Sequence, residues 1–108
     1  MPELPSVKPY VILAQFRVAA ADRAAFAEPM RHHAAHVRAS GGARQFEFHA
    51  AWDEDDRFLL YEEFATEADW QAHLSTPDTQ AVLATVGPLL AGTGRWRTTI
   101  DLATTRRL

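Results

Sequence analysis

The chain has no cysteine among its 108 residues, which excludes disulfides, a thiolate nucleophile and thiolate metal sites. It also lacks any apolar run near the roughly 20 residues that a membrane-spanning helix requires. A large excess of either charge is missing: the net is −3, which offers no reason to expect a nucleic acid or an anionic membrane surface as a partner. There are only five glycines, and none forms a phosphate-cradling loop, a dinucleotide fingerprint or a nucleophile elbow. The first nine residues hold Pro2, Pro5 and Pro9 but no charged segment leading into an apolar core. They read as an extended arm and not as a secretion signal. What remains is one domain of ordinary globular composition, residues 10 to 102, followed by a short tail, 103 to 108, with the cytoplasm as its expected location.

Hydrophobic periodicity divides that domain into six main elements. Tyr10 to Val18 alternates as a strand, with Tyr10, Ile12, Ala14, Phe16 and Val18 on one side. Its other side begins apolar (Val11, Leu13) and ends polar (Gln15, Arg17), so the first half is expected to be covered on both faces. Asp22 can cap a helix running to about Arg38, with Phe26, Met30, His33, Ala34 and Val37 on one face. Pro29 is expected to kink or break it, and Gly41-Gly42 to end it. Ala43 to Trp52 and Arg57 to Ala65 read as two strands of a hairpin joined by the acidic turn Asp53 to Asp56.

Thr66 to Asp69 looks like a capping box, and Pro77 after Thr76 suits the first position of a further helical stretch toward Val86. Arg95 to Leu102 alternates as the last strand. The order βαββαβ predicts an α+β, ferredoxin-like fold with an antiparallel four-stranded sheet and helices on one face. The other face would be bare, so pairing of two copies into a dimeric barrel is the physical expectation.

One residue conflicts with its surroundings. Glu62 lies among Phe58, Leu60 and Phe64 on the face a half-buried strand turns inward. An unpaired buried carboxylate costs several kcal/mol, so Glu62 needs a partner or must face a cavity. Arg17 and Arg97 on neighbouring strands are candidate ion-pair partners, and His73 on the following helix is another. A buried carboxylate beside an imidazole is expected to favour the charged form of both.

Tyr61-Glu62-Glu63-Phe64-Ala65, followed by His73 on a short helix and Ser75-Thr76-Pro77-Asp78, resembles the antibiotic biosynthesis monooxygenase family. Members end an apolar strand in Tyr-Glu-x-aromatic-Ala and continue through a His-bearing helix to a Ser-Pro-His stretch. Asp78 stands where that second His often lies. Ser40 to Glu47 is similar to the family's turn into its second strand, keeping only its glycine at Gly42. The resemblance covers about residues 10 to 102. It implies a small homodimeric α+β barrel whose oxidising members use dioxygen on phenols or quinols with no cofactor. In such chemistry the substrate is the reductant, and the protein supplies a base, donors for the developing oxyanion and a dry cavity.

The candidate catalytic residues are then His73, Glu62 and His33, the last on the apolar face of the first helix. Trp70, Tyr61, Trp52, Phe16 and Phe46 are the candidates for lining a cavity that holds a small aromatic or quinone-like molecule. His32 and His36 are four residues apart, a metal-ligand spacing, but no neighbouring residue supplies a third ligand, so no metal site is expected. Haem-degrading relatives use an Asn, a Trp and an axial His at positions that fall near Ala14, His73 and Leu83, none of which matches. An isomerase or lyase acting on a small carbonyl compound and a non-catalytic small-molecule binder are the remaining alternatives.

Overall fold

The computed structural model describes residues 9–51, 56–90 and, as backbone, 95–100. Four strands, β1 (Tyr10–Arg17), β2 (Gln45–Ala50), β3 (Arg57–Phe64) and β4 (Arg95–Ile100), alternate with three helices, α1 (Arg23–Ser40), α2 (Glu67–Leu74) and α3 (Pro77–Val86). The sheet order is β2-β3-β1-β4, and every neighbouring pair is antiparallel. This is an α+β, ferredoxin-like arrangement, with α1 between β1 and β2, and α2 and α3 between β3 and β4.

Strand alternation sorts the side chains. Ile12, Ala14 and Phe16 of β1, Phe46 of β2, and Phe58, Leu60, Glu62 and Phe64 of β3 are all buried, and together they form the floor of the core. The helices cover this floor with Phe26, Met30, His33, Ala34 and Val37 of α1, Trp70 and His73 of α2, and Thr79, Val82 and Val86 of α3. One end of the core is filled by Phe16, Phe26, Phe48 and Phe58, where Phe48 and Phe58 stack with centroids 5.4 Å apart. Phe26, Phe48 and Phe58 are packing, each burying a large apolar surface, while Phe16 also borders the space between sheet and helices.

On the opposite face of the sheet, Leu13, Gln15, Leu59 and Tyr61 are half-buried and Gln45, Glu47 and His49 are exposed. Val11, also on that side, is already fully buried within the single chain.

Three local details differ from expectation. Helix α1 begins one residue after Asp22, which occupies the cap position without a side-chain bond, because a short 3-10 turn at Ala20–Asp22 leads into the helix. Pro29 lies inside α1 and does not end it. Its ring forfeits one backbone bond, but Phe26, Met30, His33, Ala34 and Val37 pack on both sides of it and hold the helix to the sheet. Strand β2 is shorter than the expected Ala43 to Trp52, and Trp52 lies outside the described residues together with most of the acidic turn. Among the described residues no helix is long and apolar enough to cross a membrane.

Candidate active site

The α2–α3 corner does most of the positioning. Thr66 caps α2, accepting a bond from the Asp69 amide at 3.1 Å, and places Trp70 and His73 one turn apart on the buried side. Thr76 then ends one helix and starts the next: its hydroxyl donates to the His73 carbonyl at 2.9 Å and accepts from the Thr79 amide at 3.3 Å. Pro77 follows at a position that needs no amide proton, so α3 restarts four residues after His73. The corner therefore fixes His73, Asp78 and Thr79 relative to one another. From the other side α1 presents His33.

Between sheet and helices lies a cavity of about 510 Å³, within the range of small-molecule sites. Its floor is Ala14, Phe16, Phe46, Leu60 and Glu62, and its helical wall includes His33, Trp70, His73 and Thr79. Leu83, 42% exposed, marks its rim. Most of the lining is apolar. The polar groups are His33, Glu62, His73 and Thr79, all buried.

The three candidate catalytic residues converge here. Glu62 sits opposite Ile12 on one side and Phe46 on the other in strand register. Its Oε1 is 3.8 Å from His73 Nε2, too long for a hydrogen bond. The His33 and His73 rings lie with centroids 5.6 Å apart, and Phe46 and Phe64 pack against His73 at 5.3 and 5.2 Å. Burial among these rings, helped by the adjacent His33, lowers the pKa of His73 from 6.5 to about 4, against a smaller opposing pull from Asp78. The expectation that Glu62 would hold His73 in its charged form is therefore corrected: desolvation wins, and His73 is neutral at pH 7.

His33 has the closer carboxylate. Its Nδ1 is 2.5 Å from Oδ2 of Asp78, whose side chain is 41% exposed while that of His33 is 5% exposed. Asp78 drew attention in the sequence only as a departure from a Ser-Pro-His pattern. An acidic residue in the first turn of a helix is ordinarily explained by the helix dipole alone. The signal that could have identified it is a carboxylate at a helix start whose first turn packs near a helix carrying an imidazole on its buried face.

Of the expected lining residues, Trp70, Phe16 and Phe46 are in place. Tyr61 is not. Alternation along β3 turns it to the face opposite Leu60 and Glu62, where its hydroxyl donates to Glu63 at 3.4 Å. Partial burial, and then the neighbouring Glu63 charge, raise its pKa above the usual tyrosine value. Trp52 lies outside the described residues, as does the side chain of Arg97, one of the two expected partners for Glu62. The other, Arg17, is on the far face of the sheet and bonds Asp56 at 3.1 Å. His32 and His36 are both exposed on α1, and His32 is 3.8 Å from Glu28.

Residues 9–85 match the model of the antibiotic biosynthesis monooxygenase family, and the chain belongs to that family. Solved structures with the same fold include a candidate antibiotic biosynthesis monooxygenase from Nitrosomonas europaea, 23% identical, with a TM-score of 0.80 over 92% of this chain and 94% of that one. A second such candidate, from Caulobacter crescentus, is also 23% identical, with a TM-score of 0.79 over 87% and 89% of the two chains. Rv0793 from Mycobacterium tuberculosis is 22% identical, with a TM-score of 0.77 over 86% and 93%. No curated protein is detectably similar.

Proposed function

We propose that this chain is a monooxygenase that oxidises a small aromatic of the phenol, quinol or anthrone class with dioxygen and without a cofactor. The observation that carries the reading is the apolar cavity with His33, Glu62 and His73 buried along its lining. Family membership supports the reaction class.

The chemistry balances without a further reductant. For an anthrone-type methylene, a base removes one proton and leaves its electron pair on the substrate. The resulting carbanion, delocalised over the ring system, passes an electron to dioxygen, and the two radicals join through a new C–O bond. The hydroperoxide takes the proton back, loses its second C–H proton with the O–O bond, and leaves a carbonyl and one water. His33, with a carboxylate against its Nδ1, is the base. His73 is neutral and offers one ring nitrogen as donor and one as acceptor, suited to holding a substrate oxygen as it gains charge. Trp70, Phe46 and Phe16 supply ring faces and apolar exclusion of water around the reacting carbon.

Oxygen uptake with a panel of dihydroxynaphthalenes and anthrones, with no cofactor added, tests the proposal. Turnover with matching oxygen consumption is expected. Turnover without it would instead support an isomerase or lyase, and Trp fluorescence quenching with no turnover a binding protein. Loss of either His33 or His73 to Ala should reduce the rate by about a hundredfold or more. A variant as active as the parent removes that residue from the mechanism.

The same proposal takes the protein as a cytoplasmic homodimer paired through the open face of the sheet. The half-buried Leu13, Leu59 and Tyr61 on that face support it.

A further inference from the structure

We propose that Asp78 is a positioning residue that makes His33, and not His73, the proton acceptor of the cavity. The inference rests on the cavity being the reaction site, and it concerns a residue outside the interior lining. His33 lines the interior cavity on one side and an outer cleft on the other. Asp78 lines that outer cleft and a second surface groove that it shares with His36, Ser40, His73 and Thr76, but not the interior. The imidazole is thus set in the wall between a largely apolar space and water, with its carboxylate on the water side.

That arrangement settles which nitrogen does what. A carboxylate only accepts hydrogen bonds, so the proton of the neutral ring belongs on Nδ1 and the lone pair on Nε2. When Nε2 takes a proton from a phenol, the O–H bond breaks, its electron pair stays on oxygen, and an imidazolium forms against Asp78. The charge is then balanced at a carboxylate that keeps its own contact with water. His73 also reaches the second groove, but the carboxylate facing its Nε2, Glu62, is 3.8 Å away, and both are buried. The titratable groups around His33 are His73 from α2, Asp78 from α3, Glu62 of β3 beside His73, and His32 and His36 of its own helix, which share the outer cleft.

Two readouts separate this idea from the functional reading beneath it. Nitrogen-15 NMR of histidine-labelled protein, with no ligand, reports which ring nitrogen of His33 carries the proton. It should be Nδ1 in the parent, and Asp78→Asn should shift the population to the Nε2–H form, because the amide can donate to Nδ1. Binding of para-nitrophenol at slightly acid pH, where the free probe is mostly neutral, reports ionisation through the absorption band of its anion. The parent should enhance that band on binding, and Asp78→Asn should bind the probe but lower the bound anion fraction at least tenfold.

Far-UV circular dichroism confirms folding. Should Asp78→Asn not fold, Asp78→Glu takes its place and is expected to retain the Nδ1–H form. A parent His33 protonated on Nε2, or an anion fraction equal in parent and Asp78→Asn, overturns the proposal. A parent that binds no probe overturns the aromatic cavity as a site, and the tautomer then decides the role of Asp78 by itself.

Discussion

Two histidines, two carboxylates and one cavity produce unlike environments, and distance and burial decide which is which. His33 meets a part-exposed carboxylate at hydrogen-bond distance. His73 meets a buried carboxylate beyond that distance, among Phe46, Phe64 and the other imidazole. The lowered pKa of His73 has a consequence for stability. Unfolded, it titrates near 6.5; folded, near 4, so between those values the unfolded chain binds a proton that the fold refuses. Stability should fall as pH drops through that window, with a contribution from this one residue on the order of 3 kcal/mol. Urea denaturation of the parent and of His73→Gln at pH 7 and near pH 4.5 measures it. The variant should lose clearly less stability between the two pH values than the parent, and equal losses would contradict the burial argument. Glu62 was legible in the sequence because a carboxylate in an apolar strand demands an explanation. Asp78 was not, because its partner is 45 residues away and helix starts carry acids for other reasons.

At the scale of elements, the site depends on short signals that mark helix ends. Thr66 and Thr76 both accept the amide bonds their positions promise, and Pro77 opens α3. Thr76 has the larger role, since its hydroxyl also holds the His73 carbonyl. Thr76→Ala should cost about 1 to 2 kcal/mol in chemical denaturation, more than a cap alone on average. It should also weaken turnover, because His73 and Asp78 flank it. Stability unchanged within a few tenths would show the corner to be held by packing alone.

Gly41 makes a cleaner case. It ends α1 at a φ of +73°, and a Cβ there would meet nothing within 4 Å. Gly41→Ala should therefore cost about 1 kcal/mol from backbone conformation only, with activity preserved. These ends were readable because caps act locally. Pro29 does not break α1, because its local penalty, about 3 kcal/mol, is outweighed by contacts that a local rule does not include.

For the whole molecule, strand alternation and element order carried most of the architecture: the order of strands and helices, helices on one face and the ferredoxin-like path all follow from periods of two and of about 3.6. What alternation also dictates, and a motif obscures, is that Tyr61 and Glu62 cannot share a face. The family pattern groups them as neighbours, whereas the sheet sends one into the cavity and the other to the open side. That open side is where a second copy would sit. Sedimentation at micromolar concentration should give a dimer, and Leu59→Glu on the open face should shift it toward monomer; a well-folded monomeric parent would remove the paired-sheet assembly.

The central claim is that the space beneath the helices receives an aromatic ring. A crystal structure of the protein soaked with a dihydroxynaphthalene tests it most directly. The ring is expected between Trp70, Phe46 and Phe16, with a hydroxyl within hydrogen-bond reach of His33 or His73. A cavity that holds only water at saturating ligand, or a ligand found solely elsewhere on the surface, would contradict it.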